Sequence, residues 1–225
     1  MGLEHRFVHT YAKAIPLDFA SGATAARSPS AMALKRMTEV LLSILLLIVL
    51  TPLLGIVAIL IWLDSPGPVL FRQTRLGRWG VPFEILKFRT MTVLENGDHI
   101  VQATRGDLRI TRVGSFLRRT SIDELPQLVN VLRGEMSLIG PRPHARAHDR
   151  YYSERIPHYV HRQAMRPGIT GWAQINGLRG ETLTLAAMRK RIDCDVWYIE
   201  NFSLWLDCKI LLHTLFEMFR QRNAH

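Results

Sequence analysis

The stretch VLLSILLLIVLTPLLGIVAILIWL, Val40 to Leu63, contains no charged residue and carries Thr51-Pro52 at its midpoint. As one helix it would reach about 36 Å at 1.5 Å per residue, against a hydrocarbon core of about 30 Å. It begins some forty residues into the chain and has no small-residue cleavage site behind it, so a cleaved signal peptide is excluded. Pro52 lacks an N–H, and its ring collides with the carbonyl four residues back. Thr51 can offer its hydroxyl to the freed backbone group. A bend at mid-membrane is expected, and two topologies remain open. One is a kinked helix that spans. The other is a re-entrant helix, each half reaching about 18 Å, favoured by cations on both flanks: Lys35 and Arg36 before the run, Arg72, Arg75 and Arg78 after it.

A chain of 225 residues, 48% hydrophobic, can hold one core plus a membrane segment. A formal charge of +10 points to a polyanionic partner: nucleic acid, acidic lipid or a phosphorylated substrate. The two cysteines, Cys194 and Cys208, lack zinc-site spacing and read as unpaired thiols in a reducing compartment. The expected organisation is a flexible tail over 1–33, a membrane helix over 34–64 and a catalytic domain over 65–225.

VLFRQTRLG and PFEILKFRTM read as two strands of a hairpin with Gly77 and Gly80 near its turn. A period of two places Phe83, Ile85, Lys87 and Arg89 on one face, where two cations make either a solvated edge or a phosphate clamp. Leu125, Leu128, Val129 and Leu132 recur at helical spacing, which predicts a helix of about ten residues from near Asp123 to Gly134. Two further helices are expected at Leu185 to Glu200 and Leu204 to Phe219. Trp197, Tyr198, Phe202 and Trp205 cluster at their junction, suited equally to headgroup level and to helix packing.

Asp123 and Glu124 stand among Arg112, Arg118, Arg119, Arg133 and Arg142. A structural account is available: Ser121-x-x-Glu124 fits a capping box, and Pro126 suits a first helical turn. The chemical account makes one carboxylate a nucleophile on phosphorus or a ligand of a hard cation, with the arginines holding Asp123 ionised and gripping a diphosphate. Arg142, fixed between the prolines of GPRP, suits a phosphate contact or a plain turn. His144 and His148 lack the further ligands of a zinc site. No Walker A loop, GxSxG or dinucleotide fingerprint occurs.

Together, the proline-broken run, KFRTM (87–91), RRTSIDELPQL (118–128), LRGEMSLIGPRP (132–143) and RPGITGWAQINGLRGET (166–182) resemble the bacterial sugar transferases, the monotopic polyprenyl-phosphate hexose-1-phosphate transferases. The resemblance covers about Lys35 to Phe219. It implies a mainly α, membrane-associated enzyme with a small β-hairpin, amphipathic interfacial helices and a re-entrant helix broken at Thr51-Pro52. Asp123 would be the nucleophile and Mg²⁺ ligand, with Glu124 as its acidic partner. Arg118 and Arg142 would bind the diphosphate or nucleotide, with Lys87, Arg89, Arg166 and Gln174 elsewhere in the pocket.

The implied partners are a UDP-sugar, undecaprenyl phosphate and the bacterial inner membrane, with the catalytic domain on the cytoplasmic face. A homodimer is left open and nucleic acid is not expected. PRPHARAHDRYY, GLRGET and WYIENFSLWLDCKIL resemble especially the glucose phosphotransferases that start exopolysaccharide assembly, which puts UDP-glucose first and UDP-galactose second. Glu135 stands where the family more often has Asp, and Leu183 where a polar residue is common. Larger members carry an additional N-terminal membrane block, so a minimal catalytic version is the expectation. The competing classes are a non-catalytic membrane-anchored basic adaptor and a tethered nucleic-acid binder, the latter with no recognised module to support it.

Overall fold

The structure, a computed structural model, describes residues 28–92, 106–180, 182 and 184–220. Helix α1, Pro29–Asp64, is an unbroken 36-residue helix. It begins inside the segment expected to be a tail, because Ser28 accepts a hydrogen bond from the Ala31 amide and Pro29 fills the first turn, where a missing N–H costs nothing. Residues 1–27 of that expected tail lie outside the described residues. Pro52 sits within the helix and does not end it. The Thr51 hydroxyl donates to the Leu47 carbonyl at 2.6 Å, one residue before the carbonyl that Pro52 leaves without its amide. Only 11% of the most apolar window of α1 is buried, which sets it apart from a core helix of similar length.

Strands β1, Leu70–Leu76, and β2, Pro82–Phe88, form the expected antiparallel hairpin, Leu70 opposite Phe88 and Leu76 opposite Pro82. Its turn closes through Gly77 and the Arg78–Gly80 turn, with Trp79 and Gly80 both at positive φ. Phe83 and Ile85 face the main core, with Leu128, Val131, Met136 and Ile139.

Helix α2, Arg112–Thr120, is capped by the Thr111 hydroxyl and pressed against the exit of β2. A Cβ on Gly114 would lie 2.1 Å from the Thr90 carbonyl oxygen, so only glycine permits this approach. A single 3₁₀ turn, Ile122–Glu124, then leads to α3, Gln127–Arg133, which Gly134 ends in a left-handed conformation. The expected ten-residue helix is therefore two pieces. The capping box does not form: Ser121, at φ +60, closes the preceding helix, and its hydroxyl makes no cap bond to α3.

A second, parallel sheet pairs β3, Ser137–Ile139, with β4, Gly168–Thr170. It joins GPRP to RPGITG through Gly140 N–H to Thr170 O (2.9 Å) and Gly168 N–H to Pro141 O (2.9 Å). A Cβ on Gly168 would come within 2.1 Å of the Gly140 nitrogen, which explains a glycine in each motif. Short helices α4, Arg146–Ser153, and α5, Trp172–Ile175, precede α6, Leu185–Glu200, and α7, Leu204–Arg220. The aromatic cluster divides: Tyr198 and Phe202 are buried in the core, while Trp197 and Trp205 stay exposed. Trp205, Leu212, Leu215 and Phe216 leave an apolar side of α7 uncovered.

Both ends of α1 dock on this one body. Near its start the Lys35 ammonium lies 2.7 Å from Asp207 and 2.8 Å from Glu39, all three side chains buried. Tyr198 also donates to Asp207 (2.6 Å), and Glu39 accepts from the Leu138 amide (3.2 Å). At its other end Val57 and Ile61 pack against Phe88 and Leu117, and Asp64 accepts from the Val113 amide at 3.2 Å.

Candidate active site

The left-handed residue Ser121 turns the chain sharply between α2 and α3 and leaves Asp123 and Glu124 in the tight turn between them. The two neighbours then have different environments. Glu124 is buried and clamped: Lys87 Nζ, from β2, reaches Oε1 at 2.9 Å, and Arg142, from the GPRP loop, makes a two-pronged contact through Nη1 to Oε2 (3.0 Å) and Nη2 to Oε1. Burial alone would raise the Glu124 carboxyl, but the cations of Arg142 and Lys87 and the Arg142 hydrogen bond outweigh it and hold it well below the usual range.

Asp123 is partly exposed. Burial first, and the Glu124 charge second, push its carboxyl up to about 6, against the opposing pull of Lys87, Arg142 and Arg118. The cations of Lys87, Arg142 and Arg118 still favour the ionised form of Asp123, as expected, but their charge is largely spent on Glu124 and does not offset burial. Near neutral pH Asp123 is still ionised, a carboxylate more basic than an ordinary surface aspartate.

The remaining expected site residues separate. Arg118 acts electrostatically on Asp123, and its Nη1 lies 3.7 Å from Met91 Sδ. Arg89 is not part of this cluster. It is buried, and its guanidinium donates to the carbonyls of Ser65 (2.6 Å) and Pro66 at the C-terminus of α1, where free carbonyls and the helix dipole favour a cation. The strand ends at Phe88, so Arg89 does not continue the Lys87 face. Gln174 donates to the Ile169 carbonyl at 2.8 Å, bracing β4. Arg166 donates to the Gly134 carbonyl at 2.9 Å, at the far end of α3 from the dyad.

Sequence reasoning passed over two contributors. Arg179, inside the quoted GLRGET, donates to Ser121 Oγ (2.5 Å) and adds its charge to those acting on Glu124. Behind the GPRP loop, buried Arg162 donates to the Arg142 carbonyl and is itself held by Asp195 (3.0 and 2.9 Å). Beside it His144 meets Tyr159 OH at 2.7 Å, and Tyr159 donates to Asp149 (2.6 Å). Burial leads the causes that keep His144 well below the usual imidazole range. Nothing in the local sequence around Arg162 marks it, since its partners are 20 and 33 residues away.

Among the described residues no group of three or more His, Cys, Asp or Glu side chains is placed to hold a metal. A hard cation completed by substrate phosphate oxygens would need only one or two carboxylates, and Asp123 is the carboxylate of this turn that Lys87 and Arg142 leave available.

A family model described as bacterial sugar transferase matches residues 30–221. The chain belongs to the bacterial sugar transferase family. Within that family it is 56% identical over 191 residues to a Caulobacter vibrioides protein named UDP-glucose:undecaprenyl-phosphate glucose-1-phosphate transferase, covering 85% of this chain and 72% of that one. It is 52% identical over 192 residues to an Escherichia coli K12 protein of the same name, covering 85% of this chain and 41% of that one. A Rhizobium leguminosarum relative named exopolysaccharide production protein PSS is 50% identical over 188 residues, covering 82% of this chain and 94% of that one. The chain thus spans well under half of the E. coli relative's length.

Proposed function

We propose that this sugar transferase moves hexose 1-phosphate from a UDP-hexose, glucose first, to undecaprenyl phosphate with release of UMP, as the first membrane step of exopolysaccharide assembly. The observation that carries the reading is the division within the dyad. Glu124 is locked by Lys87 and Arg142, while Asp123 is ionised, partly exposed and unusually basic. An Asp123 oxygen attacks the phosphorus that bears the sugar, the bridging P–O bond to UMP breaks, and an acyl phosphate forms. The lipid phosphate oxygen then attacks the same phosphorus and releases the Asp123 carboxylate. Lys87, Arg142, Arg118 and Arg179 surround the turn with positive charge, suited to a diphosphate. Mg²⁺ held by Asp123 and substrate oxygens would neutralise phosphate charge.

We further read α1 as re-entrant from the cytoplasmic face. Support comes from the docking of both its ends on one domain, through Lys35 and Glu39 at the start and Asp64 and Ile61 at the finish; since the helix continues through Pro52 rather than breaking at Thr51-Pro52, re-entry then requires a bend within it. A helix running straight through a hydrocarbon core of about 30 Å would carry its ends to opposite faces.

The test is the intact mass of the solubilised protein after mixing with UDP-glucose and Mg²⁺ without lipid acceptor, beside Asp123→Asn. A hexose-phosphate adduct on the wild type alone is expected. An adduct with UDP-galactose and none with UDP-glucose would reassign the sugar. No adduct and no UMP with any UDP-sugar, with or without undecaprenyl phosphate, would refute the catalytic reading in favour of the adaptor.

A further inference from the structure

Arg191 and Asp195 stand one turn apart on α6, so their side chains leave the same face of the helix. Both are buried, on a helix that also buries Met188, Ile192, Tyr198 and Ile199. Charges buried beside an apolar face are a poor source of stability, since well-packed hydrophobic side chains often serve as well or better. What distinguishes these two is where their contacts lead.

Asp195 reaches the GPRP loop through Arg162. Its Oδ2 accepts from Arg162 Nε (3.0 Å) and Nη2 (2.9 Å), and the same Nη2 donates to the Arg142 carbonyl. The parallel sheet holds this loop at Gly140 and Pro141. The next two carbonyls, those of Arg142 and Pro143, are taken instead by the side chains of Arg162 and, at 3.5 Å, Arg75. Arg191 serves the other loop: its Nη2 donates to the Gly180 carbonyl at 2.5 Å, one residue beyond Arg179.

The two loops meet again at one turn. Arg142 forks onto Glu124, with Nη1 3.0 Å from Oε2, and Arg179 donates to Ser121 Oγ at 2.5 Å. Asp123 lies between these two gripped residues in the chain. One turn of α6 thus stands behind both of the arginines that brace the Asp123 turn. Burial first, and the charge of Arg142 second, lower the Arg191 guanidinium to about 10, so holding one carbonyl with it costs stability.

We propose that Arg191 and Asp195 are positioning residues, which hold the Arg179 and Arg142 loops so that both guanidinium groups arrive correctly placed at the Asp123 turn. A displacement of about 1 Å in such a group can cost about 100-fold in rate. Their contribution to sugar-phosphate transfer rests on the catalytic reading above, whereas their hold on the two loops does not.

The full-length protein in detergent is compared with Arg191→Met and Asp195→Asn by two readouts. Hydrogen exchange with mass spectrometry needs no turnover. Asp195→Asn should speed exchange over 140–144, and Arg191→Met should speed it around Gly180, each about tenfold, with the β1–β2 hairpin unchanged. The rate of adduct formation from UDP-glucose and Mg²⁺ should also fall about tenfold in each variant. Arg191→Met made in Arg179→Ala, and Asp195→Asn made in Arg142→Ala, should lower it by less than about twofold, because the arginine each acts through is already gone. A general loss of structure would lower the rate by the same factor in both backgrounds. Arg191→Lys keeps a charged donor for the Gly180 carbonyl and should recover part of both losses, and the Arg191 variants decide the matter where Asp195→Asn does not fold. Unchanged exchange in both loops, or equal loss of rate with and without the loop arginine, would overturn the proposal. A wild type that forms no adduct would refute the catalytic reading instead, and exchange alone would then decide the hold on the loops.

Discussion

Replacing Glu124 with Gln should move the acidic limb of the first half-reaction to lower pH. Asp123 stands about two pKa steps above an ordinary aspartate, at about 6 against 3.8, and the Glu124 charge is the second cause after burial. Like charges within about 4–6 Å repel by roughly 3–4 kcal/mol at an effective dielectric constant of 20. That is worth about two pKa steps before solvent screening reduces it. Glutamine also frees Lys87 and Arg142 from their carboxylate, so both cations act on Asp123 more fully. We expect a downward shift of at least about one pH unit. A lowered Asp123 pKa means ionisation, and hence attack, persists to lower pH.

The assay is the initial rate of phosphosugar adduct formation, followed by intact mass from pH 4.5 to 8 with UDP-glucose. The maximum rate should also fall, since Arg142 loses its anchor. A limb that stays near 6 in Glu124→Gln, or that rises, would refute the assignment of the Asp123 shift to its neighbour.

Two further outcomes follow from α1. Lys35→Met leaves Asp207 and Glu39 buried without their cation, which should cost about 3–5 kcal/mol and lower the unfolding midpoint by about 10 °C. Burial already raises Asp207 while Lys35 lowers it. Deleting the lysine raises the folded-state pKa further above the unfolded one, so the penalty should be smaller at pH 5 than at pH 8; an equal or larger loss at pH 5 would count against this. In a chain whose native cysteines are replaced, single-cysteine reporters near Met32 and Arg78 should both label from the cytoplasmic side. Pro52→Ala should expose one of them to the opposite side, and unchanged labelling would show that Pro52 does not set the topology.

Local rules read well wherever the determinant was local. The hairpin follows from alternating apolar residues around Gly77 and Gly80, and α6 begins and ends where helical spacing placed it. The capping box failed because Ser121 was claimed by the preceding helix, whose left-handed C-terminus a four-residue motif does not reveal. Arg89 and Lys87, two residues apart on a strand pattern, went to a helix end and to the dyad respectively, since β2 stops between them. Arg166 shares a motif with the site-forming loop, yet its side chain meets Gly134.

By itself the sequence determined the long apolar run, the hairpin, the C-terminal helices and, through its ordered motifs, the family, because these depend on neighbouring residues or on motif order. The tertiary structure decided how the charges divide. Whether a basic side chain grips a carboxylate, a helix end or a loop carbonyl depends on partners separated by 18 to more than 100 residues, such as Arg142 with Glu124 and Lys35 with Ile139. A pKa reports that three-dimensional sum of burial and charge, so Asp123 acquires its basicity only once Glu124 has taken the cations.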